Sequence, residues 1–280
     1  MQKRVRHPRK AVGNLAGSAR RNLRLHALTK EHEKLQSPII KQRIHKLLAN
    51  AGLGSRRTIE QWIMESKIKV NGKTATLGQI VSTQDQIEVE GKRIDLYHYT
   101  QTQTRVLLYN KPEGEICARH SHDGKKSVYD NLPKLKQGKW VSVGRLDVNT
   151  SGLLLFTNNG DLAHRLMHPR FQIERQYLVR VLGKVNENTL ICLKEGVKLE
   201  EGFCRFSEII QKEASGANQW FIVSLMEGKY REVRKLWGSQ GCVVSRLVRI
   251  KYGNIDLPRR LRKGQWEELP EARIHEELMG

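Results

Sequence analysis

The sequence predicts an α+β protein: a small N-terminal domain, then a larger domain built on a mixed, mainly antiparallel sheet flanked by helices. Three observations carry that prediction. The chain has 280 residues, room for one large and one small domain. Between residues 39 and 98 two helical periodicities precede short alternating runs. Beyond residue 103 strand-like runs outnumber helical ones and lack regular βαβ spacing, which argues against a doubly wound fold.

Residues 1–38 lack periodic apolar positions and carry a net charge of +8. They are expected to form a mostly disordered basic arm ending near Ser37-Pro38. The arm has no apolar core for a secretory signal, although its Arg-rich, acid-poor start allows an organelle transit peptide. Residues 39–98 add +4 and the remainder +9, to a total of +21. A surface this positive concentrates polyanions and speeds their association at low salt.

In the small domain, Ile40, Ile44, Leu47, Leu48 and Ala51 follow helical spacing and Gly52 suits the helix end. Ser55 caps a second helix that turns Ile59, Trp62 and Ile63 inward. Arg56 and Arg57 then fall in its first turn, where cations oppose the helix dipole; a docked phosphate would justify them, and so would plain solvation. Ile68-Lys69-Val70, an Asn71-Gly72 turn and Ile87-Glu88-Val89 read as hairpin strands. Helix, Gly-x-Gly-Ser-Arg-Arg, helix and Val-Asn-Gly together resemble the S4 RNA-binding domain over nearly its whole length. The resemblance implies that Arg56, Arg57 and Lys69 contact RNA.

In the larger domain, expected over residues 103–275, Val106 to Tyr109 is an apolar strand leading into a turn over residues 110–114. Trp140 to Val143 reads as a strand running into a polar loop and Leu153 to Phe156 as a strand running out. That loop, Gly144-Arg145-Leu146-Asp147-Val148-Asn149-Thr150, holds one carboxylate with an arginine two residues before it. Residues at such junctions sit on rigid elements yet stay open to a ligand, although an aspartate there can equally cap a turn. Asn158-Asn159-Gly160 is a turn, with Asp161 capping a helix through Met167 that Pro169 closes. Residues 177–181 and 221–225 alternate as strands. A last helix runs through Trp237, with Tyr230, Val233, Arg234 and Trp237 on one face. Arg234 there either meets an anion or snorkels to the surface.

These motifs resemble the pseudouridine synthases that modify ribosomal RNA. The match rests on Lys111-Pro112-Glu113-Gly114-Glu115, Val143-Gly144-Arg145-Leu146-Asp147, Arg165-Leu166-Met167-His168-Pro169 and Arg231-Glu232-Val233-Arg234, and covers residues 39 to about 275. Among such enzymes they fit best the group that acts on large-subunit rRNA; the family position often held by Cys is Ser151 here. The resemblance implies a catalytic Asp147, paired with Arg234, and a Tyr177 that stacks on the target base and assists proton transfer. It also implies an Arg145 that enters the space left by a flipped base. Lys111 and Arg119 are placed in the RNA cleft on charge and position alone.

Isomerising uridine needs no redox partner or energy source, so no cofactor is expected. The four cysteines are too scattered for zinc or redox spacing. His164 and His168 lie one helical turn apart but lack a third ligand, so no metal is expected. No apolar run approaches a membrane span. The expected partner is large-subunit rRNA or a ribosome assembly intermediate, met by a monomer in the cytoplasm. A non-catalytic rRNA-binding assembly factor and a small-subunit synthase are the alternatives. The joint presence of Asp147, Tyr177 and Arg234 speaks against a pure binder.

Overall fold

The structure, a computed structural model, describes residues 39–96, 102–119, 123–212 and 219–279; the expected arm over residues 1–38 lies outside them. The described residues divide into two compact units, one drawn from residues 39–48 and 54–102, the other from residues 49–53 and 103–279.

In the first unit, β1 (Lys41–Arg43) leads directly into α1 (Ile44–Asn50), and α2 spans Arg56–Met64. The first helix therefore starts at Ile44, not near Ile40. Residues 41–43 pair instead with β4 (Ile80–Ser82), a long-range ladder that helical spacing cannot reveal. Ser55 caps α2 as expected, accepting from the Thr58 amide at 3.0 Å. β2 (Ile68–Val70) turns through Asn71 and Gly72, both at positive φ, into β3 (Lys73–Thr74). Two such residues form the turn whose twist suits a two-residue hairpin. β2 also pairs with β5 (Ile87–Val89), which pairs with β6 (Lys92–Ile94). Ile44, Leu47, Leu48, Ile59, Ile68 and Ile87 are completely buried. At about 1.5–3 kcal/mol per fully buried aliphatic side chain, they stabilise the unit most.

The second unit is organised by one nine-stranded sheet. Its main path runs β13 (Glu208–Gln211), β14 (Gln219–Leu225), β10 (Arg175–Leu182), β15 (Val243–Tyr252), β9 (Ser151–Thr157), β7 (Val106–Lys111) and β17 (Trp266–Glu268). The short β8 (Val141–Ser142) flanks β9, and β16 (Ile255–Asp256) flanks β15. Every pairing is antiparallel except β15 with β9. A separate hairpin joins β11 (Val197–Leu199) to β12 (Gly202–Cys204).

Both faces of the central strands are covered, so β7 and β9 read as continuous apolar runs rather than alternating ones. On one face Leu107, Tyr109, Leu154 and Phe156 join Leu193 of α4 (Glu187–Glu195) and Leu236 and Trp237 of α5 (Glu232–Ser239). On the other, Val106, Leu108, Leu153 and Leu155 meet Leu162 and Leu166 of α3 (Gly160–Met167) and Ile274 of α6 (Glu271–Ile274). The mixed sheet flanked by helices is the architecture expected.

Three local expectations change. Asn159, not Asp161, caps α3, its side chain accepting from the Asp161 and Leu162 amides. Strand β7 continues through Asn110 and Lys111, which were expected in a turn, because β9 pairs along its whole length. Helix α5 begins at Glu232, so Tyr230 lies outside it and is largely exposed.

Candidate active site

Asp147 stands on the loop joining β8 to β9, entered through Gly144 at φ +75°. The loop is tied down through its backbone. Gly114 N–H donates to Val148 O at 2.8 Å, and Thr150 N–H to Asp147 O at 3.0 Å. The Cys117 thiol donates to Leu146 O at 3.3 Å and accepts from the Leu146 amide at 3.4 Å. Lys111 reaches the loop from below. Its Nζ donates to Asp147 O at 3.1 Å, Thr150 O at 2.9 Å and Pro112 O at 3.0 Å. These contacts leave the Asp147 carboxylate as the free end of a held loop, about a third exposed.

The carboxylate opens into a cavity of about 330 Å³, large enough to enclose a small planar group, lined by Arg145, Asp147, Tyr177, Arg231, Arg249 and Tyr252 among others. Tyr177 reaches it from β10 and is 8% exposed, because alternate residues of that strand face the core. Arg145 is exposed at its edge.

The expected ion pair between Asp147 and Arg234 is not formed. Arg231 Nη1 lies 3.9 Å from Asp147 Oδ2 instead. Arg231 adopts a left-handed conformation, φ 52°, immediately before α5. Arg234, inside the helix, directs Nη1 to Val244 O at 2.8 Å and Nη2 to Asn149 O at 2.9 Å. It is a clasp on the Asp147 loop rather than the partner of its carboxylate. Burial pulls the Arg234 pKa below its ordinary value, Arg231 adds to that, and Asp147 opposes it. Helical spacing places residues on a face but does not say how far a long side chain travels along it.

One of the charge-based assignments changes as well. Lys111 is completely buried under the loop, so it cannot line an RNA cleft, and burial pulls its pKa down. Arg119 lies outside the cavity, with its guanidinium 4.4 Å from the centre of the Tyr129 ring and bonded to Trp140 O. In the first unit Arg56, Arg57 and Lys69 are all exposed, the two arginines in the first turn of α2. His168 Nδ1 accepts from the Arg170 amide at 3.2 Å and is thereby engaged.

Sequence reasoning overlooked Arg231, Arg175 and Arg249. Arg231 opens the Arg231-Glu232-Val233-Arg234 motif, three residues before Arg234. Arg249 carried a legible signal: with Leu247 it lies on the buried side of an otherwise alternating strand.

The profile of the RNA pseudouridylate synthase family matches residues 105–237, and that of the S4 domain residues 42–87. A ribosomal large subunit pseudouridine synthase B of Pasteurella multocida is 49% identical over 251 residues, 88% of this chain and 73% of the relative. The Haemophilus influenzae protein of the same name is 43% identical over 293 residues, 99% of this chain and 82% of its own. A solved pseudouridylate synthase superposes with a TM-score of 0.58 at 28% identity, covering 85% of this chain and 99% of its own. With these relatives and the loop and cavity just described, the chain belongs to the RNA pseudouridine synthase family.

Proposed function

We propose that the protein converts a uridine of large-subunit ribosomal RNA to pseudouridine. The observation that carries this reading is the Asp147 carboxylate, held on a backbone-clamped loop and opening into the cavity that Tyr177 lines. The names of the relatives supply the substrate class.

In this reading residues 39–98 form the RNA-binding domain, residues 103–275 the catalytic domain, and residues 1–38 a basic arm. The target uridine leaves its stack, which costs a few kcal/mol and less in a loop or bulge. Arg145 fills the vacated space. Asp147 attacks C1′ or takes the 2′ proton, and the C1′–N1 bond breaks with its electron pair remaining on the base. The uracil turns over, C5 bonds to C1′ as the Asp147 ester is displaced or its proton returns to C2′, the C5 proton leaves with the help of Tyr177, and N1 takes up a proton. Arg231 stabilises the carboxylate and Arg234 holds the loop beneath it. Arg56, Arg57 and Lys69 contact RNA phosphates, which position the substrate without reading its sequence. The enzyme acts as a cytoplasmic monomer on naked large-subunit rRNA or on an assembly particle.

The test compares wild type with Asp147→Asn on large-subunit rRNA, scoring pseudouridine formation and RNA binding together. The variant is expected to bind normally and make no pseudouridine. A variant that still modifies the RNA removes Asp147 from the chemistry. A wild type that binds but modifies nothing, on rRNA or precursor particles, makes the protein a binding factor.

A further inference from the structure

Two arginines line the Asp147 cavity while remaining almost wholly buried: Arg249 is 3% exposed and Arg175 is 7% exposed. Arg249 Nε donates to Leu153 O at 2.7 Å, whereas its Nη2 is buried without a hydrogen-bond partner. Arg175 directs Nη1 to Met226 O at 2.8 Å and Nη2 to the Tyr252 hydroxyl at 3.1 Å. Both guanidiniums lie over the Tyr252 ring, 4.9 Å (Arg249) and 5.1 Å (Arg175) from its centre. Among the described residues neither forms an ion pair with a carboxylate. A buried cation without a counter-charge is costly, and such groups gather where a ligand supplies the missing charge.

The sheet fixes where that charge would sit. Arg249 is the cross-strand partner of Tyr177 in the β10–β15 ladder, so the two side chains stand side by side. On its other side β15 pairs in parallel with β9, where Arg249 lies opposite Gly152. A Cβ on Gly152 would come within 2.3 Å of Arg249 O, so the absent side chain permits this close approach. Arg249 is thus held between the strand of Tyr177 and the strand that leaves the Asp147 loop.

The proposed reaction moves a negative charge across this cavity. Before cleavage the charge is on Asp147, facing Arg231. When the C1′–N1 bond breaks, the electron pair stays on the base and spreads from N1 to O2 and O4. Asp147 is by then either esterified to C1′ or protonated by the 2′ hydrogen, so it is neutral on both routes. The uracil anion then needs a cation fixed in advance. Attack of C5 on C1′, which displaces Asp147 from its ester or follows return of its proton to C2′, then loss of the C5 proton and protonation of N1, restore the neutral base and the free carboxylate.

We propose that Arg249 is a catalytic residue that stabilises the departing uracil anion by donating from its guanidinium to a base carbonyl oxygen. Arg175, whose guanidinium also lies over the Tyr252 ring, reinforces the positive field. The proposal rests on the reading of the Asp147 cavity as the uridine site. A phosphate is the poorer occupant, because the backbone of an RNA strand meets exposed cations such as Arg145 before one that is 3% exposed.

The experiment uses the full chain carrying Arg249→Gln or Arg249→Lys, with Asp147→Asn as reference. Substrates are large-subunit rRNA made with uridine or with 5-fluorouridine, whose fluorine stabilises the base anion by induction. Consumption of the target nucleotide is followed in single turnover, with RNA affinity and melting temperature measured in parallel. Arg249→Gln is expected to slow uridine turnover about 100-fold at unchanged affinity. Its deficit on 5-fluorouridine should be several-fold smaller, and Lys should recover part of the rate. An equal deficit on both RNAs overturns the proposal, since a merely structural role would not sense the leaving group. A loss confined to affinity, with a flattened salt dependence, overturns it in favour of a phosphate contact. If Arg249→Gln does not fold, the same rate ratio measured on Arg249→Lys decides. An active Asp147→Asn would instead remove the reading of the cavity itself.

Discussion

Replacing Lys111 by Met tests whether the Asp147 loop is held from beneath, as its burial indicates. The substitution keeps most of the side-chain volume and removes an ammonium that donates to the carbonyls of Pro112, Asp147 and Thr150. A buried acceptor left unsatisfied costs about 1–3 kcal/mol; Asp147 O keeps the Thr150 amide, so the carbonyls of Pro112 and Thr150 together cost about 2–6 kcal/mol. Against this, the variant no longer buries an ammonium, whose desolvation alone costs several kcal/mol. The net expectation is a loss of about 2 kcal/mol, which lowers the melting temperature of a domain this size by about 4–8 °C. The rate should suffer separately. Displacing a reacting group by about 1 Å can cost about 100-fold, and Asp147 and Thr150 are the residues released. Thermal melts and single-turnover pseudouridine formation well below the new melting temperature separate the two effects. Wild-type melting and rate would refute the argument. Weakened RNA binding with both unchanged would restore Lys111 to the RNA surface, against its complete burial.

Three further predictions address other parts of the molecule. Gly152→Ala should destabilise by about 3 kcal/mol or more, because φ is +105° and the new Cβ would meet Arg249 O at 2.3 Å; a melting temperature within a degree of wild type would contradict the close β9–β15 approach. Burial raises the Glu232 pKa above 4.5. Over the window above that value the folded chain keeps a proton that the unfolded chain has released, so this group's contribution to stability falls as pH rises. Glu232→Gln, which can still accept from the Lys229 amide as Glu232 does at 2.9 Å, should therefore gain stability relative to wild type through that window; urea titrations showing the opposite slope would reverse the assignment. Deleting residues 1–38, net charge +8, should weaken rRNA affinity and flatten its dependence on salt while sparing the chemical step. An unchanged slope of log affinity against log salt would rule out phosphate contacts by the arm.

What the sequence determined by itself is local. The Ser55 cap, the Asn71-Gly72 turn, the alternating strand around Tyr177 and the loop of Asp147 between two strands were all legible. Each depends on a few neighbouring residues whose conformational preferences agree with the fold. The motifs brought Asp147 and Tyr177 into one prediction, and the structure lines one cavity with both. Tertiary structure decided the charges. Lys111 reads in the sequence as a cleft cation, yet it is clamped under the loop. Arg231, not Arg234, faces the carboxylate, because α5 starts at Glu232 and the Arg234 guanidinium is drawn to the Val244 and Asn149 carbonyls. Arg249 meets the cavity through the pairing of β15 with β10 and with β9, strands far apart in sequence. A long cationic side chain settles where partners from several strands converge, and that convergence is set by sheet register, which local sequence does not encode.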